Sequence, residues 1–305
     1  MRVELIDQLS WENFFNQSKK EKHIAKVKPF NRLIAHSKNY FLIGGYGAFT
    51  PGYLILITKG FVPSFGHIED KNLEELNFII KLLKENISEN LDRKSVIFEH
   101  GMCACVGGLD RAHLHVMSIN KLSTEETLLN SINKTLHDRK AGIKYIKFKN
   151  YKLENIHDIN HFIETNKGKK NLEFKIVGEI LNVNDIKNLT EQEWPKITLP
   201  HITKGGHYIF FRSDYNNASF LTTNNFQTQF GTQVVFENEI KIDNSFEITV
   251  KKIKKNNEFL DTWKWQNCKF ESNILDTVNS TRLYLKGFKI RYQMEYDKFE
   301  FKIVR

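Results

Sequence analysis

Two histidines spaced two residues apart, His113 and His115, lie inside an otherwise apolar run, residues 110 to 119 (D-R-A-H-L-H-V-M-S-I), of a 305-residue chain. In a strand, side chains alternate faces with period two, so both imidazoles project one way while Ala112, Leu114 and Val116 project the other. A neutral imidazole nitrogen is a competent nucleophile near neutral pH, its unperturbed pKa being about 6.5. Taken alone, H-x-H reads first as two packed histidines or half of a metal site. The preceding residues narrow the reading. V-I-F-E-H-G, residues 96 to 101, reads as a buried strand ending in Glu99, His100 and Gly101, and the loop after it, M-C-A-C-V-G-G-L-D, carries Gly107 and Gly108. Glycines lack a Cβ and let backbone N–H groups approach a ligand closely, and such donors beside imidazoles suit an anionic phosphorus centre.

The elements that must hold these residues are legible upstream. Residues 40 to 65 read as a hairpin, with Gly52 to Lys59 forming its second strand. Between hairpin and buried strand, Leu73, Leu76, Ile80, Leu83 and Ile87 recur at three- and four-residue steps, which predicts an amphipathic helix over 70–87.

Hairpin, helix, strand, glycine loop and His strand, in that order over residues 30 to 120, resemble the histidine triad superfamily, whose motif is His-φ-His-φ-His-φ-φ with φ apolar. The triad falls on Arg111, His113 and His115, so Arg stands where the family has its first His. The resemblance implies an antiparallel sheet with flanking helices. It also implies nucleotide chemistry, in which His113 attacks an α-phosphorus to give a nucleotidyl-histidine and His115 donates to a phosphate or leaving-group oxygen. Gly107, Gly108 and Arg111 would hold phosphate oxygens. Base-pocket candidates, from the N-terminal strands, are Leu33, Ile34, Phe41 and Ile43, with Phe49 beside them; apolar strand residues are also ordinary core. The resemblance implies no metal and no cofactor. Two departures stand out. Arg111 has donors only and cannot accept the bond that orients the middle His, and Phe61 replaces the His of the family's P-K-x-H segment, leaving His36 or His67 as substitutes. His115 is retained where the transferase branches carry Gln, which points to the hydrolase side. Two classes stay open: a nucleotidyl hydrolase or transferase, and a non-catalytic nucleotide- or RNA-binding module.

The expected fold is α+β, with a triad-like nucleotide-binding and catalytic domain over 1–140 and an α+β C-terminal extension over 141–305 packed on it. S-T-E-E at 123 to 126 is a capping-box signature for a helix ending near Arg139. Y-I-K-F-K after Gly142 alternates as a strand, 207–212 and 218–223 form a hairpin, and 226–240 a helix. Residues 287 to 304 alternate over two runs and predict a closing hairpin. Trp263, Trp265 and Phe230 read as core or as part of the enclosure of the site.

A net charge of +9 welcomes anionic partners, with lysines clustered at Lys19, Lys20 and Lys22 and at Lys251, Lys252, Lys254 and Lys255. A nucleotide or nucleotide conjugate is the expected substrate, and nucleic-acid ends, as in the aprataxin-like branch, are the alternative. Cys103, Cys105 and Cys268 read as reduced thiols, and the C-x-C spacing departs from the usual zinc spacing. No run approaches the roughly 18 apolar residues of a membrane span. A cytoplasmic protein, monomeric or homodimeric, is expected.

Overall fold

A computed structural model of the chain describes residues 32–60, 62, 64–65, 68–101, 112–138, 144–148, 174–177, 208–213, 218–222, 229–257 and 272–304. Its strands are β1 (Leu33–His36), β2 (Tyr40–Gly44), β3 (Leu54–Thr58), β4 (Lys94–Gly101), β5 (His113–Ile119), β6 (Lys144–Phe148), β7 (Phe174–Val177), β8 (Tyr208–Ser213), β9 (Ala218–Thr222) and β10 (Lys302–Ile303). Hydrogen bonding joins them into one sheet in the order β10-β1-β2-β3-β5-β4-β8-β9-β6-β7, and the pairings among the described strands are antiparallel. The His strand β5 therefore lies inside the sheet, between β3 and β4. The helices are α1 (Leu73–Glu85), α2 (Glu125–Asp138), α3 (Phe230–Ile242), α4 (Asn244–Asn257), α5 (Ser272–Arg291) and α6 (Gln293–Lys298). The chain is thus α+β, an antiparallel sheet with flanking helices.

Period-two alternation along the strands gives the sheet two apolar faces, and each collects helices from distant parts of the chain. On one face Leu54, Leu56, Leu114 and Val116 pack with Leu76, Ile80 and Leu83 of α1 and with Val278, Leu285 and Phe288 of α5. On the other, Ile55, Ile57, Phe98 and Met117 pack with Leu128 and Ile132 of α2 and with Phe230, Val234 and Val235 of α3. Phe230 is core, as read; Trp263 and Trp265 lie outside the described residues. Residues 141 to 305 supply both sheet edges and helices to both faces, so they share one sheet and both cores with residues 1 to 140.

Three expectations change in the structure. The closing hairpin is absent: α5 runs to Arg291, α6 follows, and only β10 is extended. Apolar residues at every second position also satisfy four-residue steps, and here the helical reading wins. Phe288 and Tyr296 are buried and Tyr292 partly so, whereas Ile290 and Met294 point outward at 89% and 84% exposure. The cap of α2 sits one residue later than Ser123. Thr124 Oγ1 accepts the Thr127 N–H at 3.2 Å and Thr127 Oγ1 accepts the Thr124 N–H at 3.0 Å, a reciprocal box. The Ser123 hydroxyl instead accepts from Asn238 Nδ2 of α3 at 2.8 Å. Finally, α3 starts at Phe230 rather than at 226, because Gln229 takes a left-handed conformation, φ 59°, that sets the entry angle of the helix.

Candidate functional site

The chemistry-bearing residues converge on the α3 face of the sheet. Residues directly opposite on antiparallel strands share a face. His113 is level with Ile57 and His115 with Ile55 on β3, and on the other side Phe98 of β4 is level with His115. Continuing that register by two residues brings His100 level with His113. The three rings form one group: the centroids of His113 and His115 are 5.0 Å apart at 71°, and those of His100 and His115 5.9 Å apart. In the sequence His100 stands only as the end of a strand. Its membership depends on the β4–β5 register, which no local spacing reveals.

His115 is held by two aromatic residues. The Phe98 ring stacks on it at 4.7 Å and 9°. Tyr53, just before β3, lies near-parallel on it at 5.9 Å and 28°, and the Tyr53 hydroxyl meets His115 Nδ1 at 2.8 Å. Tyr53 is itself seated by Gly45, where a Cβ would come within 2.6 Å of its ring, and Gly45 N–H donates to the Tyr53 carbonyl at 2.8 Å. Burial, and then the neighbouring His113 and His100, hold the His115 imidazolium well below its ordinary pKa, so the ring is neutral at pH 7.

The N-terminus of α3 closes the group. Gly231 N–H donates to His100 Nε2 at 3.4 Å. The helix comes this close because residue 231 has no Cβ; one placed there would overlap the Phe98 ring. The bond uses one of the N–H donors that a first helical turn leaves without an intrahelical partner, with His100 Nε2 as its acceptor. His113 and His100 are buried, 7% and 8% exposed.

Of the base-pocket candidates, Leu33, Phe41 and Ile43 are core on the histidine face, whereas Ile34 is core on the opposite face. Neighbouring strand residues point to opposite sides, so Leu33 and Ile34 cannot line one pocket. Phe49 packs edge-on against Phe236 of α3, with centroids 5.2 Å apart. His36 shares the row of His113 through Phe41 and Ile57, but three strand spacings, roughly 14 Å, separate them. His36 instead meets Lys59, whose Nζ is 3.5 Å from Nδ1 and 4.9 Å from the centre of the Phe41 ring. Gly107, Gly108, Arg111, Phe61, His67 and the three cysteines lie outside the described residues. Among the described residues, no group of three or more His, Cys, Asp or Glu is arranged to hold a metal ion, and no helix is long and apolar enough to cross a membrane.

Compared with known proteins, the chain matches no family model and no curated protein. Among solved structures it is similar to a hypothetical protein from Leishmania major, at 9% identity over 42% of this chain and 96% of that one; the TM-score of 0.26 is too low to carry an argument.

Proposed function

We propose that this chain is a histidine-triad-like nucleotide hydrolase or nucleotidyltransferase, acting at the α-phosphate of a nucleotide conjugate or dinucleoside polyphosphate through a covalent intermediate on His113. The observation that carries this reading is the gathering of His100, His113 and His115 on one sheet face, with one ring locked by Tyr53 and Phe98 and another capped by the start of α3. In the proposed reaction a neutral His113 nitrogen forms the bond to phosphorus, the bond from phosphorus to the leaving oxygen breaks, and its electron pair departs with that oxygen. Water or a second phosphate then bonds to phosphorus and the pair of the P–N bond returns to the ring. When water attacks, its spare proton passes to solvent. Hydrogen bonds to the phosphoryl oxygens would come from His115 and from N–H groups of the glycine loop.

The test is to incubate the protein with a dinucleoside polyphosphate or a mononucleotide phosphoramidate and follow product, together with a mass increase on the intact chain. Wild type should turn over and carry the adduct. His113→Ala should lose the adduct and on the order of 10⁶-fold in kcat. A second reading, a non-catalytic nucleotide- or RNA-binding module, is favoured by the low exposure of His113. Binding without turnover or adduct, unchanged by His113→Ala, establishes that reading instead.

A further inference from the structure

We propose that Tyr53 is a positioning residue that locks His115 in its Nε2–H tautomer, and that the site therefore takes substrates whose leaving group departs as an oxyanion, a phosphoanhydride in preference to a phosphoramidate. The tautomer rests on geometry. Its consequence for substrate class rests on the nucleotidyl reading.

A phenol is the better donor and a neutral imidazole nitrogen the better acceptor, so the 2.8 Å contact orders itself as Tyr53 O–H donating to His115 Nδ1. The remaining ring proton is then on Nε2. Neither partner can turn away from this arrangement. Phe98 and Tyr53 flank the imidazole at 4.7 Å and 5.9 Å, and the Tyr53 ring has no room to move toward Gly45. His115 thus has one nitrogen occupied and the other carrying a proton.

A neutral Nε2–H donates a hydrogen bond but does not give up its proton, since that would leave an imidazolate. When the His113–phosphorus bond forms, the departing group must take the electron pair unaided by a proton from His115. The terminal oxygen of a departing nucleotide or inorganic phosphate carries that charge stably and is stabilised by the Nε2–H bond. An amine must be protonated as it leaves, and a neutral His115 held in this tautomer does not supply that proton.

Long-range proton–nitrogen correlation spectra of the ¹⁵N-labelled full chain read the tautomer directly. Wild type at pH 7 should show His115 Nδ1 at a pyridine-like shift and Nε2 at a pyrrole-like one, and Tyr53→Phe should show a mixture of both forms. The preference should appear as a kcat/KM at least about 10²-fold higher for a dinucleoside polyphosphate than for the phosphoramidate of an unactivated amine, the scale of a missing general acid. Tyr53→Phe should lower the first value by about tenfold, one hydrogen bond's worth.

A proton on Nδ1 in wild type, or shifts unmoved by Tyr53→Phe, overturns the tautomer; the wild-type spectrum decides this even if the variant folds poorly. Equal cleavage of both substrates overturns the preference. Absence of turnover, or turnover that survives His113→Ala, overturns the nucleotidyl reading together with the preference, while the nitrogen shifts still decide the tautomer.

Discussion

His115 couples the site to the stability of the sheet. Its ring is kept neutral in the folded chain, chiefly by burial and then by the two neighbouring histidines, whereas in the unfolded chain it titrates near 6.5. The unfolded state therefore binds the extra proton first. The stabilisation is complete above about pH 6.5 and is lost as pH falls from there toward the depressed folded value, by up to about 1.4 kcal/mol per pH unit for one proton. Urea midpoints should drop for wild type between pH 7 and pH 5, and less steeply for His115→Gln; parallel slopes would refute the assignment. At this scale the sequence showed half of the group. The period-two spacing made the shared face of His113 and His115 readable, but His100 and Tyr53 join through cross-strand register and turn geometry, which leave no mark in the spacing of either segment. Ile34 is the opposite case, since alternation alone separates it from Leu33.

Helix α3 approaches the sheet as closely as a residue without a side chain allows, and that contact sets its distance from Phe98 and His100. Gly231→Ala should force Phe98 or the helix to shift, costing about 1–3 kcal/mol as overpacking does. It should also lengthen the Gly231–His100 hydrogen bond, visible as a change in the His100 ring nitrogen shifts. Unchanged stability with an unchanged His100 signal would mean that the helix start is not set by this contact. Elements with one clean periodicity were readable from the sequence: β5, α1, and the paired strands β8 and β9. Residues 287 to 304 were not, because apolar residues at Phe288, Ile290, Tyr292, Met294 and Tyr296 fit both a strand and a helix. Burial of Phe288 and Tyr296 against α1 and β1 decides between them.

The two halves of the chain are fastened to one another by more than apolar contact. Glu239 of α3 is buried, receives the Asn120 N–H at 2.7 Å and pairs with Arg93; burial raises its carboxyl pKa and Arg93 opposes the rise. Arg282 of α5 donates to the Leu33 carbonyl. A piece ending at residue 140 would leave these groups unpaired, uncover both sheet faces and strip β8 from β4. It should therefore lack dispersed amide signals and aggregate, and a soluble, well-dispersed 1–140 fragment would show that the first half folds alone. The β10–β1 pairing has a temporal consequence. Lys302 and Ile303 cover the open side of β1, so during synthesis that strand emerges among the earliest described parts yet waits until the ribosome has passed residue 303 for its neighbour. Until then its free N–H and C=O groups invite pairing with other nascent chains, and a chaperone's shelter matters most in that interval.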